Sequence, residues 1–135
     1  MDIVSFEHSF SDSDKPDKRP DFHELYKKLL DRIEKKQNKS SVYLLLPSNL
    51  CLLRCLYAKM SKIAEKLRGK VKLTIDYIMF TCQISICCNI FFEFGQVWED
   101  LMALSYIFKN CYFECNAEEN QVCFSIPVDL FTKLS

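Results

Sequence analysis

Glycine is nearly missing from this sequence, whose 135 residues include two, Gly69 and Gly95. A phosphate-binding loop needs several glycines close together, because its backbone adopts angles that side chains disfavour and must approach the ligand closely. Two separate glycines cannot build such a loop. The sequence therefore argues against the common nucleotide-binding loops.

Histidine is equally scarce, with His8 and His23 as the two examples. A structural zinc site needs four nitrogen or sulfur ligands, and no C-x-x-C pair with a nearby histidine occurs. A catalytic cysteine needs a neighbouring base and a lowered pKa, for which the sequence offers no candidate. The adjacent acids Glu99-Asp100 and Glu118-Glu119 suit a helix start and a loop rather than acid–base catalysis. We expect a non-enzymatic protein with no metal, cofactor or small-molecule substrate.

The sequence shows neither the features of a secretory signal peptide nor those of a membrane-spanning segment. The first ten residues, MDIVSFEHSF, contain acids and lack a basic n-region followed by an apolar core. Residues 77–92 carry no charge, but they are too few for a membrane span, and polar residues recur at every second position. We therefore expect an intracellular chain, in the cytoplasm or nucleus, that does not associate with membranes.

Cysteine, in contrast, is abundant, with eight residues. In a reducing compartment such thiols stay free and pack as small apolar side chains. The pairs Cys51/Cys55 and Cys111/Cys115 have four-residue spacing, but neither comes with enough ligands for a metal ion. We expect free cysteines that fill the core.

The stretch from Val71 to Phe94 changes the phase of its apolar alternation. Odd positions are apolar up to Met79, and even positions are apolar from Phe80 onward. Alternation of period two predicts strands, and the change of phase reverses the inward-facing side. One straight strand of this length would span about 80 Å, whereas a chain of this size has a radius of gyration of about 14 Å. The sequence predicts a hairpin or a strong bulge near residues 77–82.

The remaining chain alternates between helical periodicity and short apolar runs. Helices are predicted at residues 21–37, 48–67 and 96–109. Further strands are predicted at residues 41–46, 111–115 and 121–126, with Pro127 ending the sheet and a helical turn after it.

The resulting order, α-β-α-β-β-α-β-β, contains the split βαβ core of ferredoxin-like folds. We expect an α+β fold with a mostly antiparallel sheet and helices packed on one face. If the break near Phe80 is a bulge, the alternative is a sheet with one long bent strand.

Domain organisation follows from composition. Residues 1–20 are polar, acidic and interrupted by proline, which predicts a flexible tail, and residues 21–135 are predicted to form a single domain. Phe6 and Phe10 are apolar exceptions within this tail. We predict that they anchor it to a partner.

Charge divides the chain into two halves. Between Lys15 and Lys72 lie sixteen of the eighteen basic residues but six of the eighteen acidic ones. The basic helices of residues 27–72 therefore raise an alternative function, nucleic-acid binding. Its candidate contacts are Lys59, Lys62, Lys66 and Arg68.

Large apolar residues exceed what a small domain needs for its core, and the third helix is apolar nearly all round. Exposed apolar surface of this kind marks interfaces. We predict a protein–protein interaction module, a small subunit or adaptor of an intracellular homo- or hetero-oligomeric complex. Its predicted partner-binding residues, besides the two phenylalanines of the tail, are Phe91, Phe94, Trp98 and Met102.

Overall fold

The fold is described here from a computed structural model, which covers residues 3–10, 19–36, 42–89 and 94–134. Within these ranges the strands are β1 (Ile3–Ser9), β2 (Val42–Leu45), β3 (Lys70–Asp76), β4 (Thr81–Asn89), β5 (Tyr112–Asn116), β6 (Gln121–Val128) and β7 (Phe131–Leu134). The helices are α1 (Phe22–Lys36), α2 (Pro47–Lys66) and α3 (Trp98–Ile107), and a short 3-10 helix, Phe94–Val97, precedes α3.

Five strands form one antiparallel sheet in the order β1-β3-β4-β6-β5. The predicted α+β fold with a mostly antiparallel sheet is therefore confirmed. Helix α2 packs on β3 and β4, and buried side chains of α1 and α3 join the same core. The side of the sheet that carries this core is called the helix face below, and the opposite side is called the open face.

The predicted break in the long apolar stretch is a hairpin. Strand β3 ends at Asp76, residues 77–80 form the turn, and β4 starts at Thr81. The Asp76 carboxylate makes this turn, because its Oδ1 accepts hydrogen bonds from the backbone N–H groups of Ile78 and Met79 at 2.9 and 3.1 Å. Phe80 completes the reversal in the left-handed region with φ 52°. Four turn residues explain why the apolar positions change parity.

Register fixes which side chains lie on each face of the central strands. Leu73 of β3 lies opposite Ile84 of β4, which lies opposite Ile126 of β6, and all three are fully buried on the helix face. On the open face, Ser85 lies opposite Ser125, and their hydroxyls share a hydrogen bond of 2.8 Å. The sheet is therefore apolar on one side and polar on the other.

The ferredoxin-like split βαβ order is not confirmed. Strand β2 does not enter the five-stranded sheet; it pairs with β7 in a separate two-stranded antiparallel sheet. Asn49, at the start of α2, donates a side-chain hydrogen bond to the Leu130 carbonyl just before β7 at 3.1 Å. Segments far apart in sequence thus meet, and Leu44 of β2 remains 40% exposed. The segment after Pro127 is a strand and not the predicted helical turn.

The N-terminal residues correct the predicted tail of residues 1–20. Ile3–Ser9 forms β1, which pairs with all of β3. Val4 and Phe6 pack against the core, and the residues next to them along the strand are exposed, as the alternation of residues 3–9 requires of a strand with one buried side. The N–H of Phe10 then donates a hydrogen bond of 2.7 Å to the Gly69 carbonyl. Residues 11–18 lie outside the described ranges.

The cysteines also differ from the prediction that all are free. Cys87 and Cys123 lie directly opposite each other on β4 and β6 and form a disulfide, with Cα atoms 4.1 Å apart. Six cysteines remain as thiols, of which Cys82 and Cys88 are buried on the helix face as predicted. The sequence could not reveal the pair, because cross-strand neighbours depend on register.

Candidate functional site

Strand β5 is the outermost strand of the sheet and its most exposed element. It pairs with β6 and with no other strand in the described ranges, and all five of its residues are exposed. Half of its backbone N–H and C=O groups point away from β6, because these groups alternate sides along an antiparallel strand. Such an edge is a template for an additional strand.

The hairpin that presents β5 is set by two asparagines. Asn116 ends β5, and its Oδ1 accepts a hydrogen bond of 3.3 Å from the Glu119 N–H. Asn120 adopts φ 52°, a left-handed conformation that asparagine tolerates better than most residues. The turn therefore needs no glycine, which explains how this hairpin forms in a sequence with so few.

An aromatic cluster, defined as Phe94, Trp98 and Phe113, lies beside β5 on the helix face. The indole of Trp98 stacks on the Phe113 ring, with 6.2 Å between the ring centroids and an interplanar angle of 14°. Phe94 contacts Phe113 edge-on, with 5.5 Å between their ring centroids. Phe113 also contacts the buried Phe124 of β6, at 5.0 Å. Trp98 is 46% exposed and Phe113 is 44% exposed. The cluster is thus anchored in the core and open to solvent.

Polar groups dominate the open face next to β5. The Tyr112 hydroxyl donates a hydrogen bond of 2.9 Å to Gln83 Oε1 on β4, so this ring crosses β6. Glu114 lies opposite Cys123, and the turn after β5 adds Glu118 and Glu119, all of them exposed. These three carboxylates make the β5 hairpin acidic.

The structure brings together two of the predicted partner-binding residues, Phe94 and Trp98. Met102 is half-buried one helical turn after Trp98, and Phe91 lies outside the described ranges. Phe6 and Phe10 are elsewhere, because both pack against the core at the β1 edge. Whether any of these residues binds a partner stays a prediction.

Sequence reasoning missed Phe113, the centre of the cluster. Its signal was present, since Phe113 lies in a predicted strand where its neighbours Tyr112 and Glu114 face the opposite way. What could not be foreseen is that α3 leaves this strand uncovered. The buried positions of α3 are Leu101 and Leu104, while its last turn carries the exposed Tyr106 and Ile107.

The candidate nucleic-acid contacts lie along and just after α2. Lys59, Lys62, Lys66 and Arg68 are all exposed. Lys66 lies 3.6 Å from the Asp100 carboxylate of α3, so part of this charge is compensated within the molecule.

A groove of ≈ 670 Å³ lies beside α2, and Lys62 of the candidate nucleic-acid contacts is among its lining residues. Phe10, Phe22 and Tyr57 contribute apolar surface to it, and Arg54 and Lys62 contribute positive charge. This groove and the β5 edge belong to different parts of the molecule, since no residue of β5 or of the aromatic cluster lines the groove.

A thiol that acts as a catalytic nucleophile needs a lowered pKa. Burial raises the pKa of Cys82 to about 12. Burial also raises the pKa of Cys88, and it raises that of Cys111 against a smaller lowering effect of the Ser105 hydrogen bond. These thiols stay protonated at neutral pH. Among the described residues, no group of three or more His, Cys, Asp or Glu side chains is placed to hold a metal ion.

Comparison with protein-family models, curated proteins and solved structures found no match for this chain. No helix in the described part of the chain combines the length and the apolar character that crossing a membrane requires.

Proposed function

We propose that this chain is a non-enzymatic protein–protein interaction module, a small subunit or adaptor of an intracellular complex in the cytoplasm or nucleus. The observation that carries the proposal is the exposed stack of Trp98 on Phe113, beside a sheet edge with which no described strand pairs. Aromatic side chains, tryptophan above all, supply most of the binding energy at interfaces when a partner buries them.

The position of the stack strengthens this proposal. Phe113 rests on Phe124, which is 1% exposed, so the aromatic cluster is fixed before a partner arrives. A preorganised surface loses little side-chain entropy on binding. An exposed but loose side chain such as Tyr106, which is 91% exposed, lacks this support.

The test is quantitative capture of the native partner from cell extract by the tagged chain, comparing Trp98→Ala with wild type. We expect at least a tenfold loss of the captured partner, about 1.4 kcal/mol of binding free energy, because the indole provides the anchor. Tyr106→Ala is the matched control, as it removes an exposed aromatic ring of the same helix outside the cluster. Equal capture by wild type and both variants would contradict the proposal.

Nucleic-acid binding through α2 is the second candidate function, favoured by the exposure of Lys59, Lys62 and Arg68. The contact between Lys66 and Asp100 weakens it. Its test is a salt titration against single- and double-stranded nucleic acid. Affinity that falls steeply with salt and is lost on charge reversal of the α2 lysines would support this second function over the first.

A further inference from the structure

We propose that the partner adds an extended strand to the outer edge of β5, and that this strand alternates basic with large apolar residues. The inference rests on the proposed function and deepens it, since it names the mode of binding and the chemistry of the partner. Three features of the β5 edge carry it: backbone groups that no described strand pairs, the aromatic cluster and the carboxylates.

The backbone selects a strand over a helix. One edge of β5 is used by β6 in continuous register from Tyr112↔Ser125 to Asn116↔Gln121. The opposite edge presents the remaining N–H and C=O groups at the spacing of a strand, about 4.8 Å from where the next strand would lie. An extended segment satisfies them, as in other cases of strand addition to a sheet edge.

The helix face selects apolar residues at every second position. A residue directly opposite Phe113 on the added strand would place its Cβ about 5 Å from that of Phe113. Its side chain would lie next to an exposed aromatic stack, where aliphatic or aromatic groups are favoured. A polar residue at that position would lose hydration without gaining a partner.

The open face selects basic residues at the intervening positions. Glu114 projects there, with Glu118 and Glu119 in the adjoining turn. The lysines that face the same side, Lys70 and Lys72, belong to β3, three strands away and thus about 14 Å distant. Opposite charges directly across a strand pair are favourable, so Lys or Arg fits next to Glu114.

The same carboxylates argue against a second copy of this chain as the occupant. Two β5 strands paired edge to edge would bring their Glu114 side chains to the same face near the symmetry axis, where like charges repel. Pairing with β1 of another copy would place Glu7 of that copy on this acidic face. Lys109, which precedes β5, provides little compensation against three carboxylates.

The probe is a capped seven-residue peptide of alternating lysine and valine. Trp98 is the single tryptophan of the chain, so its fluorescence reports coverage of the aromatic cluster directly. We expect a saturable blue shift and, by hydrogen exchange, new protection of β5 amides that point away from β6. A peptide of the same composition with lysines and valines in separate blocks, and an alternating peptide with N-methylated amides, should bind at least tenfold more weakly.

Charge is tested by Glu114→Lys, with Glu99→Lys as a control on α3. We expect Glu114→Lys to weaken binding of the alternating peptide about fivefold or more, because attraction across the strand pair becomes repulsion. Glu99→Lys should change the affinity less than twofold, and circular dichroism should show both variants folded. Added salt should weaken the wild-type complex and strengthen the Glu114→Lys complex.

The inference would be overturned by equal binding of the alternating and block peptides, or by protection elsewhere than β5. Concentration-dependent protection of β5 without peptide would also overturn it, since a second copy would then be the occupant. Failure of this inference can be told apart from failure of the proposed function. If capture of the native partner depends on Trp98 but not on Glu114, the interaction module stands and strand addition is wrong.

Discussion

The two edges of the sheet are built differently although both are short strands with alternating polar and apolar residues. At the β1 edge, the apolar side chains Val4 and Phe6 pack against the core, and Glu7 forms a 3.3 Å ion pair with Lys70. At the β5 edge, all five residues are exposed, and Phe113 contacts an exposed tryptophan. Apolar side chains of the β1 edge therefore pack against the core, whereas those of the β5 edge are exposed to solvent.

Two edge strands of one sheet therefore differ in how far their apolar side chains are covered: Val4 and Phe6 of β1 are half-buried, whereas Phe113 of β5 is 44% exposed. Proteins usually protect edge strands with charge. In the proposed mode of binding, Glu114 would oppose pairing with another copy of the chain and attract a basic segment. Stability should therefore depend on β1, and binding should depend on β5.

The largest expected effect comes from removing the β1 edge. Deleting the first ten residues should lower the free energy of unfolding by at least about 4 kcal/mol, because it removes the half-buried Val4, Phe6 and Phe10 and the hydrogen-bonding partner of β3. The measurement is urea unfolding followed by circular dichroism.

The control for this deletion is Glu114→Lys on the opposite edge, which should change stability by no more than about 0.5 kcal/mol. A truncated chain with the urea midpoint of wild type would refute the assigned role of β1. So would a Glu114→Lys variant that loses as much stability as the truncated chain.

The second prediction concerns the point where β1 is tied to the sheet. Phe10 donates to the Gly69 carbonyl, and a Cβ at position 69 would collide with the Cys87 carbonyl oxygen of β4. Gly69→Ala should therefore destabilise the fold by about 3 kcal/mol. Gly95→Ala is the matched control, since a Cβ there meets nothing within 4 Å. Equal thermal unfolding of both variants would show that the close approach at Gly69 has no energetic weight.

The smallest predicted effect concerns the buried thiol of Cys82. The exposed thiol of Cys115, on the β5 edge, is its control. Burial raises the pKa of Cys82 to about 12 from 9.0, whereas Cys115 is exposed. The unfolded chain releases the thiol proton of Cys82 near pH 9, whereas the folded chain retains it up to about pH 12. The contribution of Cys82 to the free energy of unfolding is therefore complete below pH 9 and decreases as the pH rises towards 12. At pH 10.5 the loss is about 2 kcal/mol.

Urea unfolding at pH 8 and pH 10.5 measures this loss. Cys82→Val should reduce the loss between the two pH values by about 2 kcal/mol, because valine fills a similar volume and does not titrate. The raised pKa values of Cys88 and Cys111 act in wild type and variant alike. Cys115→Ser should behave as wild type. Parallel losses in wild type and Cys82→Val would show that another group is responsible.

Much of the secondary structure was predictable from particular residues. Asp21 caps α1 as expected, with its Oδ1 accepting hydrogen bonds from the N–H groups of His23 and Glu24 at 3.1 and 3.3 Å. The periodic apolar positions of α2, among them Met60 and Ile63, are buried. These features depend on local spacing, which the sequence displays directly.

Other elements depended on contacts that local spacing does not contain. Pro127 was expected to end the sheet, but it lies in β6 beyond Ser125, the last residue of β6 that pairs with β5. Among the described strands none pairs with this part of β6 on the side away from β4, and proline is tolerated at such an edge. The β2–β7 pairing likewise joins two segments far apart in sequence, Val42–Leu45 and Phe131–Leu134, and short apolar runs do not specify their partners.

Local spacing in the sequence was enough to predict the hairpin near Phe80 and the buried positions of α2 and the central strands. Three features depended on packing between distant segments: residues 3–9 complete one sheet edge, Cys87 pairs with Cys123, and Trp98 stacks on Phe113. The physical reason is that periodicity records which side of an element is apolar, whereas the neighbour that covers this side is chosen by packing across the whole chain.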